Sequence, residues 1–234
     1  MSTKPTKSRS SKPKAAKSKE TGKRATKTAT KAKKAANRVA RADVQVTHQA
    51  ARFRDSPVMK ALATLLEGAD QPPLIAASAG TLAIGLLARR GDLARGGARM
   101  LASHLLATGA KLAIKHQFDR TRPSEALAHG HRFARGDEGG HAEKSFPSGH
   151  TAGAVAVARA ASHEIDGAAV PAALAAAGVA AGQAPAGNHY LTDVVAGAAI
   201  GWAAEAVVGA VFDRFEQHHP LPPAGEGQTS NASG

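Results

Sequence analysis

Apolar residues gather in five runs along the second half and middle of the chain, after a leader that contains almost none. The runs cover Pro73 to Ala88, about Ala98 to Lys115, Ser148 to Ala161, Gly167 to Ala181 and His189 to Phe212. A shorter segment, Val58 to Leu66, repeats its apolar positions at helical spacing, and Ser56-Pro57 before it supplies a cap and a favourable first-turn proline. With few aromatics and much Ala and Gly, tightly packed helices are favoured over a sheet sandwich. The pattern therefore predicts an all-α fold, a bundle of five to six helices. It divides the chain into a tail over 1–42, a linker with an amphipathic helix over 43–71, a helical domain over 72–216 and a flexible C-terminal tail over 217–234.

Whether the runs cross a bilayer turns on length and charge. A spanning helix needs about 20 mostly apolar residues. The first run is uncharged but short, and the fourth is long enough only if its Ala and Gly residues count as apolar. The other three carry Lys111, Arg159 and Glu205, which are costly at bilayer depth unless they pair or line a polar site. Small-residue faces such as "AGAAIGWAAEAVVGA" let membrane helices pack closely, and suit a tight soluble bundle as well. These lengths and charges favour a transmembrane bundle, with a soluble form as the alternative.

Charge separates the leader from the rest. Residues 1–41 hold fifteen Lys or Arg against one acid, Glu20, so the whole net charge of +13 belongs to the tail. Lacking large apolar side chains, the tail is expected to be disordered. It suits sequence-blind contact with nucleic-acid phosphates or with anionic lipid headgroups. It lacks the apolar stretch of a secretory signal. With no cysteine, thiolate catalysis, disulfides and cysteine zinc sites are excluded.

Candidate chemistry sits at the ends of the apolar runs. "PSGH", Pro147 to His150, opens the third run, where unpaired backbone N–H groups and a positive dipole suit an anion at Ser148 and Gly149. "KHQFDRTRP" places Lys115, Arg120, Arg122 and Pro123 after the second run, and "GNHYLTDVVAG" places His189 and Asp193 at the start of the fifth. Four apart on a helix, those two share a face, and the carboxylate can accept a ring N–H and fix the tautomer. Each cluster has a plain alternative, as a helix cap, as solvated helix-end cations, or as a surface ion pair. Their coincidence favours a single site. His129, His131 and His141 lie in a Gly-rich loop whose spacing matches no strong ligand signature, so no metal site is predicted and the loop reads as a polar rim.

Lys-x6-Arg-Pro, then Pro-Ser-Gly-His, then His-x3-Asp, in that order, resembles the type 2 phosphatidic acid phosphatase (PAP2) superfamily over roughly Leu74 to Phe212. The resemblance implies a metal-independent phosphatase with no cofactor, acting on a phosphomonoester or pyrophosphate, with a lipid phosphate or prenyl pyrophosphate favoured. In that scheme His189 attacks phosphorus to give a phosphohistidine, Asp193 orients it, and His150 protonates the leaving oxygen and then activates water. Lys115, Arg122, Ser148 and Gly149 hold the phosphate oxygens, together with the residue at 183. There the chain departs from the family, with Gly182-Gln183 where Ser-Arg is usual. Gln offers only a neutral amide in place of a guanidinium, so either another cation such as Arg120 or Arg132 is expected to substitute, or the activity is reduced or redirected. A soluble nonspecific acid phosphatase and a catalytically weak scaffold tethered by its tail are the two other readings. If the runs alternate across a membrane, all three motifs fall on one side and the loop with Arg89, Arg90, Arg95 and Arg99 on the other, consistent with a cytoplasmic loop.

Overall fold

Ser56 caps the first bundle helix as its sequence predicts: the hydroxyl accepts from the Met59 N–H at 3.2 Å and Pro57 opens the helix. In the computed structural model, which describes residues 30–31, 34–35, 37–136 and 140–218, this helix, α1, spans Pro57–Gly68. Then come α2 (Gln71–Leu87), α3 (Gly91–Lys115), β1 (Phe118–Arg120), α4 (Pro123–His129) and β2 (Phe133–Arg135). The bundle is completed by α5 (Gly149–Glu164), α6 (Ala169–Gln183) and α7 (Leu191–His218). The chain divides into two compact units, 1–43 and 44–234, and all of these elements lie in the second.

Two expectations change. Residues 37–50 are helical, so helix begins inside the stretch assigned to the disordered tail; its Ala and Arg residues are good helix formers. Most of the tail, and 219–234, lie outside the described residues. The expected rim between α3 and α5 contains a small antiparallel hairpin, Phe118 opposite Arg135 and Arg120 opposite Phe133. Phe118, Phe133 and Phe146 pack together there, with ring centroids 5.8 to 6.1 Å apart.

Helices α3, α5 and α7 pack mutually around an alanine core of Ala107, Ala156 and Ala204. Close approach requires glycine: a Cβ at Gly201 of α7 would collide with the Ala152 carbonyl of α5, and one at Gly97 of α3 with the Leu82 backbone of α2. The small-residue faces read from the sequence are thus used for helix contact.

The charges inside the apolar runs are paired. Glu205, fully buried on α7, accepts from Arg99 of α3 at 2.5 and 3.0 Å and from Arg159 of α5 at 2.9 Å. Arg99 also reaches Glu164 at 2.7 Å. Arg95 extends the cluster outward to Glu164 at 3.0 Å and to Glu216. Three helices are therefore cross-linked at the end where α3 begins.

Candidate active site

The opposite end, where α3 ends and α5 and α7 begin, holds a cavity of about 290 Å³. His150, Gly149, His189, Lys115 and Arg122 line it, as do Lys111 and the α1–α2 junction at Ala69 to Pro72. Five of the eight residues singled out from the sequence therefore share one space. The imidazoles of His150 and His189 have centroids 6.1 Å apart and meet edge to face.

His189 lies two residues before α7 starts, off the helix, and this changes its pairing with Asp193. Its Nδ1 lies 2.7 Å from the Ser145 carbonyl oxygen, while the nearer carboxylate oxygen of Asp193 is 3.9 Å from that nitrogen. A carbonyl only accepts, so Nδ1 carries the proton and Nε2 keeps the lone pair. The expected Asp193 contact is thus replaced by a backbone carbonyl. Asp193 instead accepts from Arg120 at 2.5 Å, from the Ser145 hydroxyl at 2.5 Å and from the Tyr190 N–H at 2.9 Å. It fixes the segment whose carbonyl holds the ring, and acts on His189 through Ser145 and through charge.

Burial pushes the His189 imidazole down to about 4; Arg122 and Lys115 act in the same direction and the Asp193 carboxylate opposes them. The ring is therefore neutral, with a free Nε2, at ordinary pH.

Ser148 and Gln183 do not line the cavity. Ser148 is fully buried; its hydroxyl caps α5 and lies 3.0 Å from the Thr151 hydroxyl, and its N–H donates to the Asp193 carbonyl at 3.0 Å. Gln183 is likewise fully buried, donating its side-chain amide to the Val179 carbonyl at 3.2 Å, and its backbone carbonyl accepts from the His189 backbone N–H. The cations expected to replace the missing arginine are used elsewhere. Arg120 is held under Asp193 with its guanidinium 4.0 Å from the Tyr190 ring centre, and Arg132 is exposed, 4.0 Å from Glu143.

Lys111 stands at the cavity instead. A Cβ at Gly149 would fall 3.0 Å from its ammonium and 2.9 Å from its Cδ, so glycine is what lets this cation lie against the start of α5. Its signal in the sequence is the four-residue spacing to Lys115, which puts both on one face of α3. The Lys115 ammonium donates to the Lys144 carbonyl at 2.8 Å. Asp70 also lines the cavity, its carboxylate 2.8 Å from His150 Nε2. Side chains of His129 and His141 lie outside what the structure describes.

Three cations, two imidazoles and helix N-terminal N–H groups around one cavity suit a tetrahedral oxyanion. The family model for the PAP2 superfamily matches residues 96–216, which contain all three motifs. Among curated proteins, no sequence matches significantly. The fold is similar to LpxE of Aquifex aeolicus, at 20% identity and a TM-score of 0.55, over 71% of this chain and 93% of that one. It is also similar to a transmembrane PAP2-type phosphatidylglycerolphosphate phosphatase of Bacillus subtilis, at 20% identity and a TM-score of 0.53, over 76% and 88%. With more than half of its length matched by the family model and the motifs gathered at one cavity, the chain belongs to the PAP2 superfamily, as a phosphatase.

Proposed function

We propose that the chain hydrolyses the phosphate or pyrophosphate of a membrane lipid through a phosphohistidine. The observation that carries this reading is the convergence of His150 and His189 on one cation-lined cavity. Nε2 of His189 attacks phosphorus while the bond to the leaving oxygen breaks, and His150 gives that oxygen a proton. Water then attacks the phosphohistidine, losing a proton to His150 as the P–N bond breaks, and phosphate leaves. Lys111, Lys115, Arg122 and the Gly149 N–H neutralise the non-bridging oxygens, where most of the benefit in phosphoryl transfer arises. The scheme contains no step for a metal.

Two features support a lipid. An apolar cavity of about 250 Å³, bordered by Leu65, Leu74, Met100, Val157, Ala176 and Val179, shares Ala69 with the polar one, so a chain attached to a bound phosphate has an adjoining apolar place. The outer surface is apolar as well: Leu87, Leu105, Leu174, Val195, Trp202 and Val207 are all exposed. Helix α7, at 28 residues about 42 Å long, is long and apolar enough to cross a bilayer core of about 30 Å. Membrane embedding, in a bacterial inner membrane, follows from this reading.

The test is phosphate release by the detergent-solubilised protein from phosphatidate, a prenyl pyrophosphate and p-nitrophenyl phosphate, with and without EDTA, plus an alkaline quench after radiolabelled substrate. Preference for a lipid, insensitivity to EDTA and an alkali-stable label absent from His189→Ala are expected. Abolition by EDTA, or label retained in that variant, contradicts the scheme. Equal turnover of the soluble ester by protein extracted without detergent returns the soluble acid phosphatase reading.

A further inference from the structure

Asp70 occupies the N-cap of α2, where an aspartate ordinarily accepts a hydrogen bond from the backbone N–H two or three residues into the helix. Here those positions are Pro72 and Pro73, which have no N–H. The carboxylate makes no capping bond and turns to His150, with Oδ1 2.8 Å from Nε2. The "DQPP" sequence thus frees an acid from its usual local partner and delivers it to the catalytic cavity.

The charges around His150 give that contact a consequence. Facing the cavity are Lys111 and Lys115 from α3, Arg122 before α4, His189 before α7, and Asp70 from the α1–α2 junction. Three cations oppose a protonated imidazole, and Asp70 is the one carboxylate among the described lining residues. An acid that must protonate a leaving oxygen needs an offsetting negative charge in contact with its ring. We propose that Asp70 is a positioning residue for His150, holding its Nε2–H and stabilising the protonated ring, so that Nδ1 exchanges the proton with the leaving oxygen and then with water. Asp70 stays a carboxylate throughout. The inference rests on the role given to His150 above.

Leaving-group dependence tests it, in the full chain in detergent. Asp70→Asn is expected to lower kcat on an alkyl phosphate by about 10- to 100-fold, and on p-nitrophenyl phosphate, whose leaving group departs without a proton, by less than about threefold. The descending alkaline limb of kcat/KM for the alkyl ester moves to lower pH, and Asp70→Glu restores part of the rate. Pro73→Ala, at an exposed position, returns an N–H to the cap and draws the carboxylate off His150 with no change of charge. It is expected to give the same leaving-group-selective loss, more weakly, and it carries the test if Asp70→Asn does not fold. Equal losses on both esters, an unchanged pH profile, or a gain in activity overturns the proposal. The reading beneath it fails separately, if His150→Ala shows no leaving-group selectivity or His189→Ala retains turnover.

Discussion

At one end of α3, α5 and α7, Arg99, Arg159, Glu164 and Glu205 close on one another; at the other, Lys111, Lys115, Arg122, His150 and His189 surround a cavity of about 290 Å³. Both clusters draw on α3 and α5, and the second adds His189 before α7, Arg122 before α4 and the α1–α2 junction. In the first, every buried guanidinium has a carboxylate at hydrogen-bond distance, and Glu205 serves two of them. In the second, three cations share their cavity with one carboxylate, Asp70, while the buried Asp193 is drawn behind the wall by Arg120, Ser145 and Tyr190. Buried charge is costly wherever it is unmatched. Matched charge inside the bundle reads as helix cross-linking; an excess of one sign around open space reads as a place for a ligand of the other sign.

Removing His189, the nucleophile of the proposed scheme, breaks the comparison at its cavity end and has the largest expected effect. His189→Ala should lower phosphatase turnover by about 10⁴-fold or more while the melting temperature in detergent stays close to wild type. Loss of activity together with loss of the fold would make His189 a packing residue. Glu205→Gln strikes the other end and should do the reverse. Two cations lose their shared carboxylate, at a cost of about 3–5 kcal/mol in stability, with kcat of the folded protein changed less than about twofold. Arg95→Ala, at the half-exposed edge of the same cluster, should cost less than about 1 kcal/mol. Similar melting shifts for the two variants would show that burial does not govern this cluster.

The sequence made one end far more legible than the other. Helices α1, α2, α5 and α6 begin and end within a few residues of their apolar runs, because composition and the Ser56 and Ser148 caps mark them. Helix α3 begins seven residues before its run, since Arg95 and Arg99 look like loop charges until their partners on α5 and α7 are known. The hairpin of three-residue strands is too short to carry a period. At the site, the motif histidines were readable from spacing. Lys111 reads from sequence as a charge inside an apolar run. The signal of Asp70 is a negative one: two prolines that deny it a cap. The His189–Asp193 bond was expected from helical spacing, and helix starts only at Leu191. Gln183 could be ranked only by burial, which no single sequence reveals.

Lys111 sharpens the comparison by asking whether the excess charge binds the ligand. Lys111→Met removes one of the three cations that line the cavity, and should lower kcat/KM roughly 100-fold. Inhibition by inorganic phosphate or vanadate should weaken along with it, and stability should rise or hold, because a buried positive charge is relieved of its neighbours. An unaltered inhibition constant would assign Lys111 to the wall rather than to the oxyanion.

A pH slope probes the cavity end through His189. His189 is neutral in the folded protein down to about 4, whereas an unfolded histidine takes up its proton near 6.5. Between those values the unfolded chain binds the extra proton, so stability falls as pH drops from about 6.5 to about 4, and this residue contributes no slope outside that window. In the proposed scheme the same neutrality keeps His189 competent for attack on the acid side of 6.5. The melting temperature of the wild type should therefore decline more steeply through that window than that of His189→Asn, which has nothing to titrate, and the two curves should run parallel above pH 7. Parallel curves throughout would mean that the imidazole is solvated and charged like any surface histidine, and the buried, cation-flanked nucleophile would lose its physical basis.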